Sequence, residues 1–185
     1  MNIIRSNKTT NWGGGTTTEL YIWPENATYK NRDFDFRLST ATVEVENAEF
    51  TPLPRVKRTL MVLDGQLGLQ HEGQHSKFLN AFDQEQFDGG WKTNSIGTCI
   101  DFNLMCIGDV RGTLTHFHLK EGEKRIIEFN ETRHLIYLFK GAIKYQNQTV
   151  EEGSLMLFDQ ENNVDFQALN DCQLVLIQIS GTFQQ

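Results

Sequence analysis

No stretch of this 185-residue chain approaches the ~20 consecutive apolar residues that a membrane helix requires, which argues against a membrane-spanning role. Lys and Arg never cluster, and the formal net charge is −7, so the basic stripe that neutralises nucleic-acid phosphates is missing. A duplex-binding role is not expected on that ground. Cysteine is scarce. Cys99, Cys106 and Cys172 are odd in number and lack CxxC spacing, so neither a disulfide framework nor a structural zinc site is signalled, and buried thiols are expected instead. Met1 to Ser6 contain no apolar leader core, which predicts a cytoplasmic protein. Helical periodicity is missing too, because no window keeps an i, i+3, i+4, i+7 apolar pattern over three turns.

What recurs instead are short β-branched and aromatic runs between turn signals, the pattern of a sandwich or barrel. Strands are predicted at 36–45, 58–63, 67–70, 99–105, 113–119, 135–139, 154–158 and 173–179. Asp64-Gly65, Glu72-Gly73, Lys140-Gly141 and Glu152-Gly153 punctuate them as turns. The second half also overlies the first, with Gly141 standing 76 residues after Gly65. At that offset Leu60-Met61-Val62-Leu63 meets Ile136-Tyr137-Leu138-Phe139, Gln70 meets Gln146 and Leu79 meets Leu155. Phe82-Asp83-Gln84-Glu85 then recurs as Phe158-Asp159-Gln160-Glu161. The fold class expected is therefore all-β: two jelly-roll (double-stranded β-helix) barrels packed in one compact body, a bicupin. The halves are placed at residues 1–115, with an N-terminal Trp-Gly-Gly segment, and 116–185. Barrels of this kind bind small ligands at a mouth lined by inward-facing side chains.

Several motifs, in order, carry a more specific likeness: Trp12-Gly13-Gly14-Gly15 with Thr18-Glu19, Asp35-Phe36-Arg37-Leu38-Ser39 with Ala41, Phe50 through Arg58, Leu63-Asp64-Gly65, and Asp101 through Met105. In this order and spacing the chain resembles the HutD/Ves family of bacterial proteins over nearly its whole length. The resemblance implies a bicupin fold. It also implies an association with histidine utilisation for some members and stress response for others, and binding of a small pathway acid such as formylglutamate.

Metal-dependent cupins place a His-x-His pair and a carboxylate just before the strand that leads to the glycine turn. Here that stretch reads Pro54-Arg55-Val56-Lys57-Arg58, and cations stand where ligands would be. In the second half, Asn130-Glu131-Thr132-Arg133-His134 offers too few ligands. No metal and no cofactor are predicted. His116 and His118 share a strand face but read as a surface or interface pair, and His71 and His75, flanking Gly73, as solvated loop histidines.

The stronger constellation is cationic. Arg37 and Ser39 share a strand face, while Arg55 and Arg58 stand at the start of the next strand. A buried guanidinium needs a partner. Either Glu19 or Asp101 neutralises Arg37 or Arg58 as a structural ion pair, or a guanidinium grips a ligand carboxylate, and the two can coexist. The glycine run beside Trp12 suits backbone crossing the barrel mouth, with Trp12 as core or as pocket wall and the hydroxyl of Thr18 available to a ligand. Asn103, on the face of Asp101, can read an amide or formamide. Cys99 and Cys106 read as apolar filler.

These residues point to a metal-free bicupin that binds a small anionic metabolite as sensor, regulator or buffer. The candidate ligand-binding residues are Trp12, Thr18, Glu19, Arg37, Ser39, Arg55, Arg58, Asp101 and Asn103. The rival expectation is an isomerase, lyase or hydrolase acting on a small carboxylate, with Glu19 or Asp101 as acid/base. A homodimer through an exposed strand is a further expectation.

Overall fold

The computed structural model describes residues 1–6, 8–129, 133–158 and 161–183. All regular structure among them is β, and no helix is long and apolar enough to cross a membrane.

By its contacts the chain divides into two units, Ser6–Arg111 with Gly181–Gln185, and Met1–Arg5 with Gly112–Ser180. Relative to halves drawn at 1–115 and 116–185, residues 112–115 go to the second unit and the chain ends are exchanged. The exchange begins with β1 (Asn2–Ile4), which pairs antiparallel with β17 (Ser154–Phe158), Ile3 opposite Met156.

In the first unit, β2 (Thr9–Trp12), β3 (Gly15–Trp23), β4 (Phe36–Val43), β11 (Cys99–Ile107), β6 (Val56–Gly65) and β9 (Gln84–Asp88) lie side by side in that order. A second sheet runs β5 (Asn47–Phe50), β10 (Thr93–Ile96), β7 (Leu67–His71), β8 (Ser76–Leu79). In the second unit one sheet runs β1, β17, β14 (Arg133–Lys140), β19 (Cys172–Ser180), β12 (Arg111–Leu119). Its companion runs β13 (Lys124–Glu128), β18 (Asn163–Ala168), β15 (Ala142–Tyr145), β16 (Gln148–Glu151). The order β4-β11-β6-β9 over β5-β10-β7-β8 is that of β12-β19-β14-β17 over β13-β18-β15-β16. Eight strands with one connectivity occur twice, each set a jelly roll, and the fold is a bicupin.

Strand pairing also shows which residues are equivalent. Arg58 pairs with Phe87 and Met105, as His134 pairs with Phe158 and Gln178. Leu60 pairs with Asn103 as Ile136 does with Leu176, and Val62 with Asp101 as Leu138 does with Leu174. The central apolar strand and the glycine turn therefore repeat at the offset read from the sequence. The tetrapeptide does not. Phe82 lies in the turn before β9 with φ 68°, whereas Phe158 closes β17, so Phe87 is its counterpart. Asp159 and Gln160 lie outside the described residues, as do Asn130, Glu131 and Thr132 of the other second-half stretch. Leu79 ends β8 while Leu155 lies within β17, and Gln146 sits in a turn while Gln70 is in β7. Those matches are coincidental.

Alternation along the strands grades the first barrel from apolar to polar. Leu60 and Val62 of β6, Val43 of β4, Leu67, Leu69, Leu79, Phe50, Phe87 and Cys99 form one buried cluster. Two residues further along the same faces come Arg58 and, on β4, Ala41, Ser39 and Arg37. The equivalent cluster of the second barrel includes Ile136, Leu138, Phe158, Phe166, Leu174 and Leu176, with buried His134 at the position of Arg58.

Candidate functional site

At the polar end of the first barrel lies a cavity of about 280 Å³. The strand faces that carry the apolar cluster also supply its walls: Arg37, Ser39 and Ala41 from β4, Arg58 from β6, and Asp101, Asn103 and Met105 from β11. Thr10, Asn11, Trp12 and Thr17 come from the β2–β3 hairpin, and Tyr29, Glu49, Phe50 and Thr51 complete the lining.

Arg58 dominates the chemistry. Its guanidinium is buried between two rings, 4.9 Å from the centroid of Phe50 and 5.1 Å from that of Phe87. One terminal nitrogen donates to Asn103 Oδ1 at 2.7 Å, and Asn103 Nδ2 in turn donates to Asp101 Oδ1. Asn103 thus relays between cation and carboxylate, its amide oriented by the charge at each end. Arg58 Nε is buried and makes no hydrogen bond. A guanidinium carries five N–H donors, so this one holds unspent donor capacity beside a cavity. Burial lowers the Arg58 pKa to about 10, partly offset by Asp101, which leaves it charged at neutral pH. Burial raises the Asp101 carboxyl to about 7 even though Arg58 and Asn103 pull it down.

Arg37 is differently committed. Its Nε donates to Glu19 Oε2 at 2.8 Å and one terminal nitrogen to Ser39 Oγ at 3.0 Å, and the guanidinium lies over the Tyr29 ring at 4.5 Å. Of the two pairings foreseen for the arginines, the ion pair holds for Arg37 with Glu19, while Arg58 meets Asp101 only through Asn103. Glu19 also lies 3.6 Å from Lys8 Nζ.

The hairpin explains the glycine run. A Cβ on Gly14 would meet the Trp12 ring at 2.4 Å, and one on Gly15, at φ 149°, would meet the Thr42 carbonyl oxygen at 1.9 Å. The first glycine lets Trp12 fold over the turn, and the second lets β3 close on β4. Trp12 is half-buried, edge-on to Phe50 with centroids 6.3 Å apart, and its Nε1–H is buried with no hydrogen-bond partner.

Of the nine predicted residues, Trp12, Arg37, Ser39, Arg58, Asp101 and Asn103 meet around the cavity, with Glu19 directly behind Arg37. Thr18 does not join them: its hydroxyl bonds Thr9 Oγ1 at 2.8 Å, and its neighbour Thr17, on the opposite strand face, lines the cavity. Arg55 is also outside, exposed in the turn before β6 at φ 71°. Tyr29 and Glu49 gave no motif-level signal, since a loop and an edge strand bring them in, and Phe50, which opens the motif running to Arg58, is not among the predicted site residues.

A divalent metal does not fit this cavity, because Arg58 projects where such barrels carry ligands and would repel the ion. Burial pushes the Cys99 and Cys106 thiols up to about 12, in keeping with apolar filler. His116 bonds Gln173 Oε1 at 2.6 Å, and His118 is exposed. The expectation of solvated histidines at the β7–β8 tip holds for exposed His75 and fails for His71, which Phe87 and Trp91 enclose.

A family model described as HutD matches residues 5–176. Among solved structures, the chain is similar to the conserved protein of unknown function PA5104 from Pseudomonas aeruginosa PAO1, with 21% identity and a TM-score of 0.80 over 97% of this chain and 98% of that one. It is similar to HutD from Pseudomonas fluorescens SBW25 in a formate condition, with 19% identity and a TM-score of 0.71 over 97% and 99%. It is also similar to YhhW from Escherichia coli, with 10% identity and a TM-score of 0.76 over 100% and 99%. At these identities the likenesses carry the fold. No curated protein matches the chain.

Proposed function

Because the chain belongs to the HutD family, we propose that its first barrel binds a small anionic metabolite at Arg58 and acts as a sensor, regulator or buffer of that metabolite. One observation carries the reading: a buried guanidinium that spends one N–H on Asn103, leaves Nε unpartnered and borders a cavity. Desolvating an arginine is costly unless its donors are met, and a carboxylate meets two in one planar contact. The cavity volume of about 280 Å³ stands at the small end of ligand sites, which suits a compact acid. Asn103, already oriented, and the free Trp12 Nε1–H provide polar contacts beyond the carboxylate. Formylglutamate, with two carboxylates and a formamide, has this chemistry. The formate condition of the Pseudomonas fluorescens HutD structure concerns the simplest anion of the same class. The second barrel, with Leu174 and Leu176 in place of Asp101 and Asn103, serves as support.

The enzymatic reading keeps one specific support, the Asp101 carboxyl raised to about 7 at the cavity wall, where it can exchange a proton near neutral pH. Glu19 is held by Arg37 behind the cavity wall and has no comparable support.

Titration calorimetry with mono- and dicarboxylates, formylglutamate included, tests the proposal. Arg58→Met is expected to weaken binding about 10–150-fold, as for a lost charge-assisted hydrogen bond, without lowering the melting temperature of the free protein. Binding unchanged in Arg58→Met, or no carboxylate bound by the native protein, overturns it. Consumption of the bound acid, abolished in Asp101→Asn, establishes the enzyme instead.

A further inference from the structure

The tip of the β7–β8 hairpin holds a second constellation, outside the cavity. Tight pairing there, with His71 N donating to the His75 carbonyl at 2.9 Å, sets the two imidazoles side by side. Strand β9 brings Glu85 beneath them. The histidine nitrogens and a Glu85 oxygen all lie within 4.8 Å of one another. His75 Nε2 is 2.5 Å and His71 Nε2 3.6 Å from Glu85 Oε1.

The hydrogen bonds around His71 fix what faces Glu85. Its Nδ1 lies 2.8 Å from Thr93 Oγ1, and that hydroxyl donates to the Trp91 carbonyl at 3.3 Å. With its only proton directed at Trp91, Thr93 accepts from His71 Nδ1–H, so His71 Nε2 presents a lone pair. The His71 side chain is fully buried, and its Nε2 makes no hydrogen bond, nor does the buried Glu85 Oε2. The imidazole lone pair thus faces Glu85 Oε1 across 3.6 Å without a hydrogen bond between them, beside a second carboxylate oxygen that has no partner. From this geometry we infer that His71, His75 and Glu85 form a site for a borderline divalent metal ion, Zn²⁺ first.

Two imidazoles and a carboxylate are a zinc-type ligand set, and they disfavour Ca²⁺ and Mg²⁺, which take oxygen ligands. Thr93 orients His71 as partners of metal-binding histidines do. Phe87 and Trp91 hold the His71 ring at centroid distances of 4.7 and 5.3 Å. Bonds of about 2.0–2.1 Å in a tetrahedron set neighbouring ligand atoms roughly 3.3 Å apart, so the His75–Glu85 contact opens on binding. His75 has the freedom to do so, since its side chain is 49% exposed. Three protein ligands leave a fourth position for water or an exogenous ligand. The expectation of a protein without metal is set aside here, in the barrel whose cavity repels one.

The full chain, stripped with chelator, should bind one equivalent of Zn²⁺ in equilibrium dialysis. Co²⁺ in its place should give the intense visible bands of a tetrahedral ion. His75→Ala, at an exposed position, should weaken binding at least tenfold with unchanged circular dichroism and melting temperature, and His118→Ala should have no effect. Because Glu85 is buried, Glu85→Gln is paired with a melting curve, and loss of binding in a folded variant supports the site. Less than one equivalent bound at 100 µM Zn²⁺, or His75→Ala binding as the native chain does, overturns the assignment.

Discussion

Asp101 is the residue whose charge state ties the cavity to pH. Its carboxyl titrates at about 7, so near neutrality a bound anion beside Arg58 finds it about half protonated. The added negative charge disfavours the ionised form and raises that pKa further, so the complex binds more protons than the free protein. By linkage, affinity for a carboxylate strengthens as pH falls from about 9 through 7 and levels off below. Calorimetry from pH 6 to 9 should show a gain approaching, and not exceeding, about tenfold for each unit by which the ligand raises the pKa, and a flat profile in Asp101→Asn. A native profile that is flat or reversed would contradict this. At the residue scale much of the site was legible. Arg37, Ser39, Asp101 and Asn103 announce themselves as polar residues two apart on otherwise apolar strands. Thr18 was misplaced by one position, because the face each threonine presents depends on a register that only pairing with β4 reveals. His71 looked solvated beside Gly73, since the rings enclosing it come from β9 and the loop after it.

Among the elements, the β2–β3 hairpin is the one on which the cavity wall depends, and its two tightest glycines fail differently when given a side chain. Gly15→Ala puts a methyl against the Thr42 carbonyl oxygen at a φ that L-residues avoid. A loss of about 2 kcal/mol or more in urea unfolding is expected. In Gly14→Ala the methyl meets the Trp12 ring instead, so carboxylate affinity should fall, whereas Gly13→Ala, with nothing near its Cβ, should leave affinity unchanged. The strands readable in advance were those whose apolar content is high, such as 58–63 within β6 and 99–105 within β11. Short strands such as β5, β8, β9 and β10 escaped, because they alternate with exposed polar residues and read as loop. The repeated Phe-Asp-Gln-Glu misled for a related reason: four identities in polar turn sequence weigh less than hydrogen-bond register, which pairs Arg58 with Phe87.

For the whole molecule, the duplication sets one frame twice with different residues at equivalent interior positions, Arg58 in one barrel answering to buried His134 in the other. The eight-strand frame is common to both, while Asn103 and Asp101 stand opposite β6 where Leu176 and Leu174 stand opposite β14. The exchanged chain ends are the other molecule-wide feature. Ile3 packs on the second core, and β1 covers an edge of β17. Removing residues 1–5 should destabilise the second unit by up to about 1.5–3 kcal/mol for the lost Ile3 burial. Hydrogen exchange should quicken first in β17 and β14, with β4, β6 and β11 unaffected. The same exchange constrains how the chain is made. Asn2 lies opposite Leu157, so a strand emerging early from the ribosome has no partner until most of the polypeptide has followed. Likewise, the segment after Ser180 returns to the unit built from residues 6–111. The unit of residues 6–111 is incomplete until the segment after Ser180 has been made, and a cut between residues 111 and 112 severs each unit from one of its own segments. The duplicated halves, alike in plan, are thereby obliged to mature as one protein.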